Sequence, residues 1–348
     1  MTPADLDDRS GKSVAFCAAS RLALGNLQRA TNVAAALAER RPEIALRLLT
    51  NSARGAEWAT QSAIFREVAV ADRTAMSASL ERMKPAAVVV GAFVVPDLEK
   101  IDAPLCLILR EVIPAKLAGF RLKGGRPWDL VIAPNPAADW VPDPDVVAAR
   151  RFEAVGWIYR RPDPSRPGNT AGNGRFTPVS GRATVLVASG GGSGDDEHDA
   201  LTEEIAGLIA GLRRSAVTPL SVVQARGPNA QQGWSIPGVD ETIEPGPELH
   251  NLFARADLVI STAGYNSVLE IACTDVPALL VPIGRYSDDQ YKRAQEWGPR
   301  VGRCYEPGDR EQAIQWMVGV VDGRSRRTPY DPGPSGASAC AALIEELL

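Results

Sequence analysis

Short apolar runs bounded by Gly, Pro or Asp alternate along this chain with longer amphipathic stretches. That rhythm predicts βα units and a parallel sheet, because strands buried on both faces read as continuous apolar runs while the helices between them keep a polar face. In the first half the runs predict strands at 14–18, 45–50, 67–70, 87–90, 105–109 and 130–133. The helix after the first strand is the best defined. From Asn26 to Arg40 the apolar positions Leu27, Ala30, Val33, Ala34 and Leu37 recur at helical spacing and leave Gln28, Arg29, Asn32 and Glu39 on other faces.

Residues 161–182, rich in Pro, Gly, Ser and Asn and without an apolar period, read as a linker. The alternation then restarts with a strand at 184–188, a long helix over 199–213, and strands at 220–224, 240–243, 258–260 and 278–281. The expected fold is therefore α/β, with two doubly wound Rossmann-like domains at 1–160 and 183–348 and a cleft between them, the last helix being able to pack back on the first domain. Ligands of such sheets bind at the carboxyl ends of the strands.

A length of 348 residues, 45% of them hydrophobic and 23% charged, is enough for two buried cores. The formal charge of −4 supplies no basic field for nucleic acid. The longest apolar stretch, 86–96, falls short of the ~20 residues a membrane-spanning helix needs. The acidic start MTPADLDDRS, followed by a short apolar run at 13–19, is unlike a secretory signal, so a cytoplasmic location is expected. Cysteines 17, 106, 273, 304 and 340 are scattered, with no CxxC pair, and read as reduced core thiols. With only His198 and His250 present, neither having a suitable second ligand at i+3 or i+4, no metal site and no cofactor are expected.

The chemistry concentrates in 257–290, DLVISTAGYNSVLEIACTDVPALLVPIGRYSDDQ. An apolar strand delivers the turn Ser261-Thr262-Ala263-Gly264, a helix opens with Asn266 and Glu270 in its first turns, and a second buried strand ends in Val281-Pro282 before Asp288-Asp289-Gln290. N–H groups at a helix start lack intrahelical partners and lie at the positive end of its dipole, so they attract a diphosphate. The acceptor-only carboxylate of Glu270 can take both hydroxyls of a ribose. The structural alternative is that Ser267 and Glu270 form an S/T-x-x-E capping box and that Gly264 is only a turn glycine. Ser189-Gly190-Gly191-Gly192-Ser193-Gly194 likewise follows a strand and precedes a helix, as a phosphate-cradling loop does, or is a flexible connection.

Taken together, 257–290 resembles the carboxy-terminal nucleotide-sugar signature of the MurG-like glycosyltransferases, the family that adds N-acetylglucosamine to the peptidoglycan lipid precursor. The resemblance implies the two-domain GT-B architecture. It also implies a donor site at Gly191, Gly192, Ser193, Ser261, Thr262, Gly264 and Asn266, with Glu270 on the ribose. Val155-Gly156-Trp157-Ile158-Tyr159-Arg160 is similar to the segment that ends the family's first domain, which gives Arg160 the role of meeting the donor diphosphate. Where the family typically shows His-Gln and then Asn-Ala, this chain has Asp289-Gln290 and Arg293-Ala294, which leaves the sugar open. The family's Gly-His after the first strand is Gly25-Asn26 here. Asn26 cannot take a proton and is otherwise a helix N-cap. By the resemblance of LCLILREVIPAKLAGF to the family's acceptor-side loop, Glu111 becomes the candidate base, ahead of Asp97 and Asp139; an acceptor that is already acidic needs no base.

The expected activity is that of a metal-independent, inverting glycosyltransferase moving a sugar from a uridine diphosphate donor to a small-molecule acceptor, as in natural-product tailoring. Nucleotide-sugar hydrolysis and non-catalytic nucleotide-sugar binding are the alternatives. Whether the chain forms a homodimer stays open.

Overall fold

The computed structural model describes residues 12–21, 24–163, 176–190, 196–231, 233–285 and 288–348, without the side chains of 196–198. Strands β1 (Ser13–Ala18), β2 (Ala45–Thr50), β3 (Glu67–Val70), β4 (Ala87–Val90), β5 (Leu105–Ile108), β6 (Leu130–Ala133) and β7 (Phe152–Ala154) form one parallel sheet in the order β3-β2-β1-β4-β5-β6-β7. Helices α1 (Gly25–Arg40), α2 (Ala53–Thr60), α3 (Arg73–Met83), α4 (Pro114–Leu117) and α5 (Pro144–Val147) connect them. The second sheet, also parallel, runs β10-β9-β8-β11-β12-β13. Its strands are β8 (Ala183–Ala188), β9 (Leu220–Ala225), β10 (Glu241–Ile243), β11 (Leu258–Ser261), β12 (Ala278–Leu280) and β13 (Gly302–Cys304). Its helices are α6 (Asp196–Ser215), α7 (Leu249–Phe253), α8 (Tyr265–Ala272), α9 (Gln290–Val301) and α10 (Arg310–Gly323), and α11 (Ala337–Glu345) closes the chain.

The central strands β1, β4, β5, β6, β8, β11 and β12 are buried along their whole length, as expected of sheets covered by helices on both faces. In each sheet the strand order reverses next to the first strand, between β1 and β4 and between β8 and β11. Such reversals open a crevice at the carboxyl ends of the two strands. Both crevices face one interdomain cleft, where Ala19 and Ala92 from one sheet oppose Gly190 and Thr262 from the other.

Helix α1 departs from the simple amphipathic reading. Arg29 and Asn32, assigned to other faces by the periodicity, are 1% and 5% exposed. On that face Arg29 packs against Tyr265 and Gln28 meets Glu270 of the second domain, whereas Glu39 near the helix end stays exposed. The N-cap position is Leu24, with no side-chain cap, and Asn26 is inside the helix.

Helix α11 crosses back to the first sheet, where Cys340, Ala341 and Ile344 share a core with Leu27, Val33 and Leu37 of α1. Arg40 and Arg41 hold Glu345 at 2.9 Å and 3.1 Å. The entry to α11 is tight: a Cβ on Gly336 would lie 2.3 Å from the carbonyl oxygen of Val155. Gly336→Ala is therefore expected to lower stability by about 1–3 kcal/mol through overpacking against backbone. An unchanged denaturant midpoint would show that this entry relaxes freely.

Candidate active site

The cleft encloses about 1230 Å³. That exceeds the roughly 300–1,000 Å³ of a single small-molecule pocket and leaves room for two ligands.

The second domain supplies the floor. Gly264 is the N-cap of α8, and a Cβ there would meet only Ser267 Oγ at 3.8 Å, so the backbone is open to close approach. Because α8 starts at Tyr265, Glu270 lies well inside the helix and Ser267 is not its cap, which removes the capping-box alternative. The Glu270 carboxylate is 2% exposed and lines the cleft. Burial pushes its pKa up to about 8, against the pull of the Arg160 guanidinium. Its Oε1 accepts a hydrogen bond from Gln28 Nε2 of the first domain at 3.1 Å. Beside it, Asn266 donates from Nδ2 to the Gly25 carbonyl at 3.3 Å while its Oδ1 has no partner. Gln290, the first residue of α9, is 6% exposed with its Oε1 also without a partner. Two buried amide oxygens awaiting donors in the wall of one cleft are a cost that a polyhydroxylated ligand would remove.

The remaining sequence candidates divide. Asn26, Thr262, Gly264, Asn266, Glu270 and Gln290 line the cleft; Ser261, Asp289, Arg160 and Glu111 do not. Ser261 is fully buried, its Oγ donating to the carbonyls of Ala188 and Thr262 at 3.2 Å and 3.0 Å, so it fastens β11 to the end of β8. Asp289 is the N-cap of α9, accepting from the N–H of Lys292 at 3.0 Å. Glu111 pairs across the domain boundary with Lys292 at 2.5 Å. Gly191, Gly192 and Ser193 lie outside the described residues, as does the side chain of His198.

A second set of groups is not evident from the sequence. Asp288 bonds Arg110 at 3.0 Å and Arg293 at 2.7 Å, and Arg293 also donates to the Ala263 carbonyl at 2.9 Å. Burial raises the Asp288 pKa, but Arg110, Arg293 and Arg29 outweigh it and bring it down to about 2. Arg29 stacks over the Tyr265 ring at 4.6 Å and donates to Asn26 Oδ1 at 3.3 Å, while its Nε has no partner. The Tyr265 hydroxyl accepts from the Ile158 N–H at 3.0 Å and donates to the Pro134 carbonyl, binding α8 to the first domain. At the cleft's far end Arg54 donates to the carbonyls of Pro228 and Ala230, and Asn229 to that of Ser20. Of this network, Asp288 stood in the signature, Arg293 just beyond it and Arg29 in the polar stripe Gln28, Arg29 and Asn32 of α1, but nothing in the sequence joined them. Among the described residues no three His, Cys, Asp or Glu side chains are grouped to hold a metal, and no helix is long and apolar enough to cross a membrane.

Two parallel α/β domains that face each other across both switch-point crevices define the two-domain GT-B architecture. Residues 200–306 match the glycosyltransferase family 28 C-terminal domain. The UDP-N-acetylglucosamine--N-acetylmuramyl-(pentapeptide) pyrophosphoryl-undecaprenol N-acetylglucosamine transferase of Chelativorans sp. (strain BNC1) is 30% identical over 216 residues, covering 59% of this chain and 54% of that protein. The chain spans about half the length of the curated relatives it matches. The MurG of Acinetobacter baumannii superposes with a TM-score of 0.57 at 15% identity, over 96% of this chain and 99% of that one. The glycotransferase of kitacinnamycin gives 0.59 at 15%, over 98% and 100%. At such identity these two show the fold alone. The protein is thus MurG-like in architecture, and the stretch that matches the family 28 carboxy-terminal domain contains the signature at 257–290.

Proposed function

We propose that the protein is an inverting glycosyltransferase that takes a uridine diphosphate sugar on its second domain and an acceptor small molecule on its first. The observation that carries this reading is the buried Glu270 carboxylate in the cleft wall, one side free of the α8 cap and flanked by the unpartnered amide oxygens of Asn266 and Gln290. A ribose diol donating to Glu270, with sugar hydroxyls donating to the two amides, satisfies all three. The start of α8 at Gly264 then meets the diphosphate, as helix N-termini do.

The acceptor oxygen attacks the anomeric carbon from the face opposite the departing diphosphate, so configuration inverts. The helix N-terminus at Gly264 holds the leaving charge, and Arg160, behind the cleft wall, acts on it through the field it already exerts at Glu270, which together is the work a divalent ion performs in metal-dependent transferases. The two domains already touch across the cleft where Gln28 meets Glu270, and bound donor and acceptor would displace the remaining water from around the reacting carbon. A small-molecule acceptor, of the kind glycosylated in natural-product tailoring in the cytoplasm, suits a cleft whose lining combines apolar side chains such as Trp58 and Phe93 with arginines and amides.

The test is titration calorimetry with UDP and UDP-sugars, followed by an assay for released UDP with and without acceptor. Binding with acceptor-dependent release is the expected result. Release without acceptor marks a hydrolase, binding without turnover a non-catalytic partner, and no binding removes the donor site altogether.

A further inference from the structure

The first domain's side of the cleft is cationic and, among the described residues, contributes no carboxylate to it. Arg21, Arg73 and Arg110 follow the carboxyl ends of β1, β3 and β5, and Arg29 projects from α1. The two lining carboxylates, Glu270 and Asp288, come from the second domain. Asp288 is committed to Arg110 and Arg293, and Glu270, one oxygen of which accepts from Gln28, is the residue assigned to the donor's ribose. Asn26, beside Arg29, has an amide that cannot accept a proton from an attacking hydroxyl. Arg29 is 1% exposed with its Nε unpartnered, a buried donor that lacks an acceptor. Phe93 lies in the same wall under the Arg73 guanidinium, 5.6 Å from ring centre to charge, and gives it an apolar surface.

Resting on the glycosyl-transfer reading above, we propose that the acceptor is an organic acid with an aromatic or other apolar body, and that its ionised carboxylate is itself the nucleophile. A carboxylate is already deprotonated at neutral pH, so a wall rich in arginine and lacking a base is matched to it. In the step, a carboxylate oxygen bonds to the anomeric carbon as the bond from that carbon to the β-phosphate oxygen breaks with its electron pair. No proton moves. The negative charge of the acceptor ends on the released diphosphate, and the product is a glycosyl ester. Arg29 and Arg73 hold the acid and position it, and Arg110 adds to the field.

The experiment uses the full chain with UDP-glucose and UDP-N-acetylglucosamine, and benzoate, benzyl alcohol or 4-hydroxybenzoate as acceptor. The last carries both kinds of oxygen in one molecule. The expected products are esters of benzoate and 4-hydroxybenzoate, cleaved by neutral hydroxylamine and with the phenol free, and no product from the alcohol. A hydroxylamine-stable glycoside, transfer to the alcohol, or UDP binding without transfer to either acid overturns the inference while leaving the donor site standing. Absence of any UDP binding overturns both. Arg73→Ser, at an exposed position, and Arg29→Met should each raise the KM for benzoate about 10-fold with kcat and UDP affinity little changed, the size of a charge-assisted hydrogen bond. Arg29→Lys should recover part of that loss. If both substitutions leave KM unchanged in folded protein, the acid is not held there.

Discussion

Glu270→Gln is expected to cut UDP affinity about 10- to 100-fold at about pH 8.5, because two hydroxyl donors lose an ionised acceptor, while the fold becomes more stable. The stability gain follows from the carboxyl's burial. Its folded pKa of about 8 lies above the ordinary value of 4.5. Folding therefore favours the protonated form: the full contribution is present below about pH 4.5 and is lost as pH rises through 8, a difference on the order of 5 kcal/mol. Glutamine mimics the protonated acid at every pH. Denaturant midpoints of parent and variant should accordingly coincide near about pH 4 and separate in favour of the variant toward pH ~9.

Binding carries the opposite sign. Ribose hydroxyls donate best to the ionised carboxylate, so UDP binding should release up to one proton near neutral pH and strengthen toward pH ~8 before levelling. The terminal phosphate of UDP titrates near pH ~6 on its own account, and the glutamine variant supplies the blank for it. Calorimetry in two buffers of different ionisation enthalpy reads the proton directly. An affinity that is flat with pH, or an equal proton count in the variant, would remove Glu270 from the ribose.

How much of this was legible in the sequence depended on distance along the chain. The central strands could be read because burial on both faces writes an uninterrupted apolar run, as in Val14 to Ala18 or Leu258 to Ile260. Strands β7 and β13 could not: each is a three-residue edge, Phe-Glu-Ala or Gly-Arg-Cys, paired on one side and free to carry charge. The second domain's side of the cleft was legible for a different reason, since one short segment from Thr262 to Gln290 supplies much of its lining and the spacing within βαβ geometry is fixed. Its cross-domain partners were not. Gln28 meets Glu270 from 242 positions away, and nothing in α1 distinguishes a glutamine destined for that contact from one facing water. For Arg29 the periodicity pointed to another face, because an isolated helix does not record what a second domain will cover. Glu111, carried over from a family pattern, is joined to Lys292 instead, so its catalytic role has no support in its present contacts.

Asp288→Asn is the other large expected effect: a loss of about 3–5 kcal/mol, because it leaves the Arg29, Arg110 and Arg293 guanidiniums packed together with no carboxylate among them. The bonds at 3.0 Å and 2.7 Å to Arg110 and Arg293 are well shielded from solvent, unlike the exposed pairs elsewhere on the surface. Burial pulls the Arg29 pKa down to about 10, and the neighbouring arginines add to that, so the cluster already strains against its own charge. With its folded pKa at about 2 against an ordinary 3.8, Asp288 contributes stability that is present above pH 3.8 and lost as pH falls through 2. The deficit of the variant should therefore be full near neutral pH and shrink in strong acid. Because Arg110 belongs to the first domain and Asp288 to the second, the same change should also loosen the cleft, raising protease sensitivity between the domains before either unfolds. Adding Arg110→Met should recover about 1–3 kcal/mol by removing one of the unpaired charges. A deficit of equal size at pH ~2 and pH ~7, with no recovery in the double variant, would mean that Asp288 acts through packing and not through its charge.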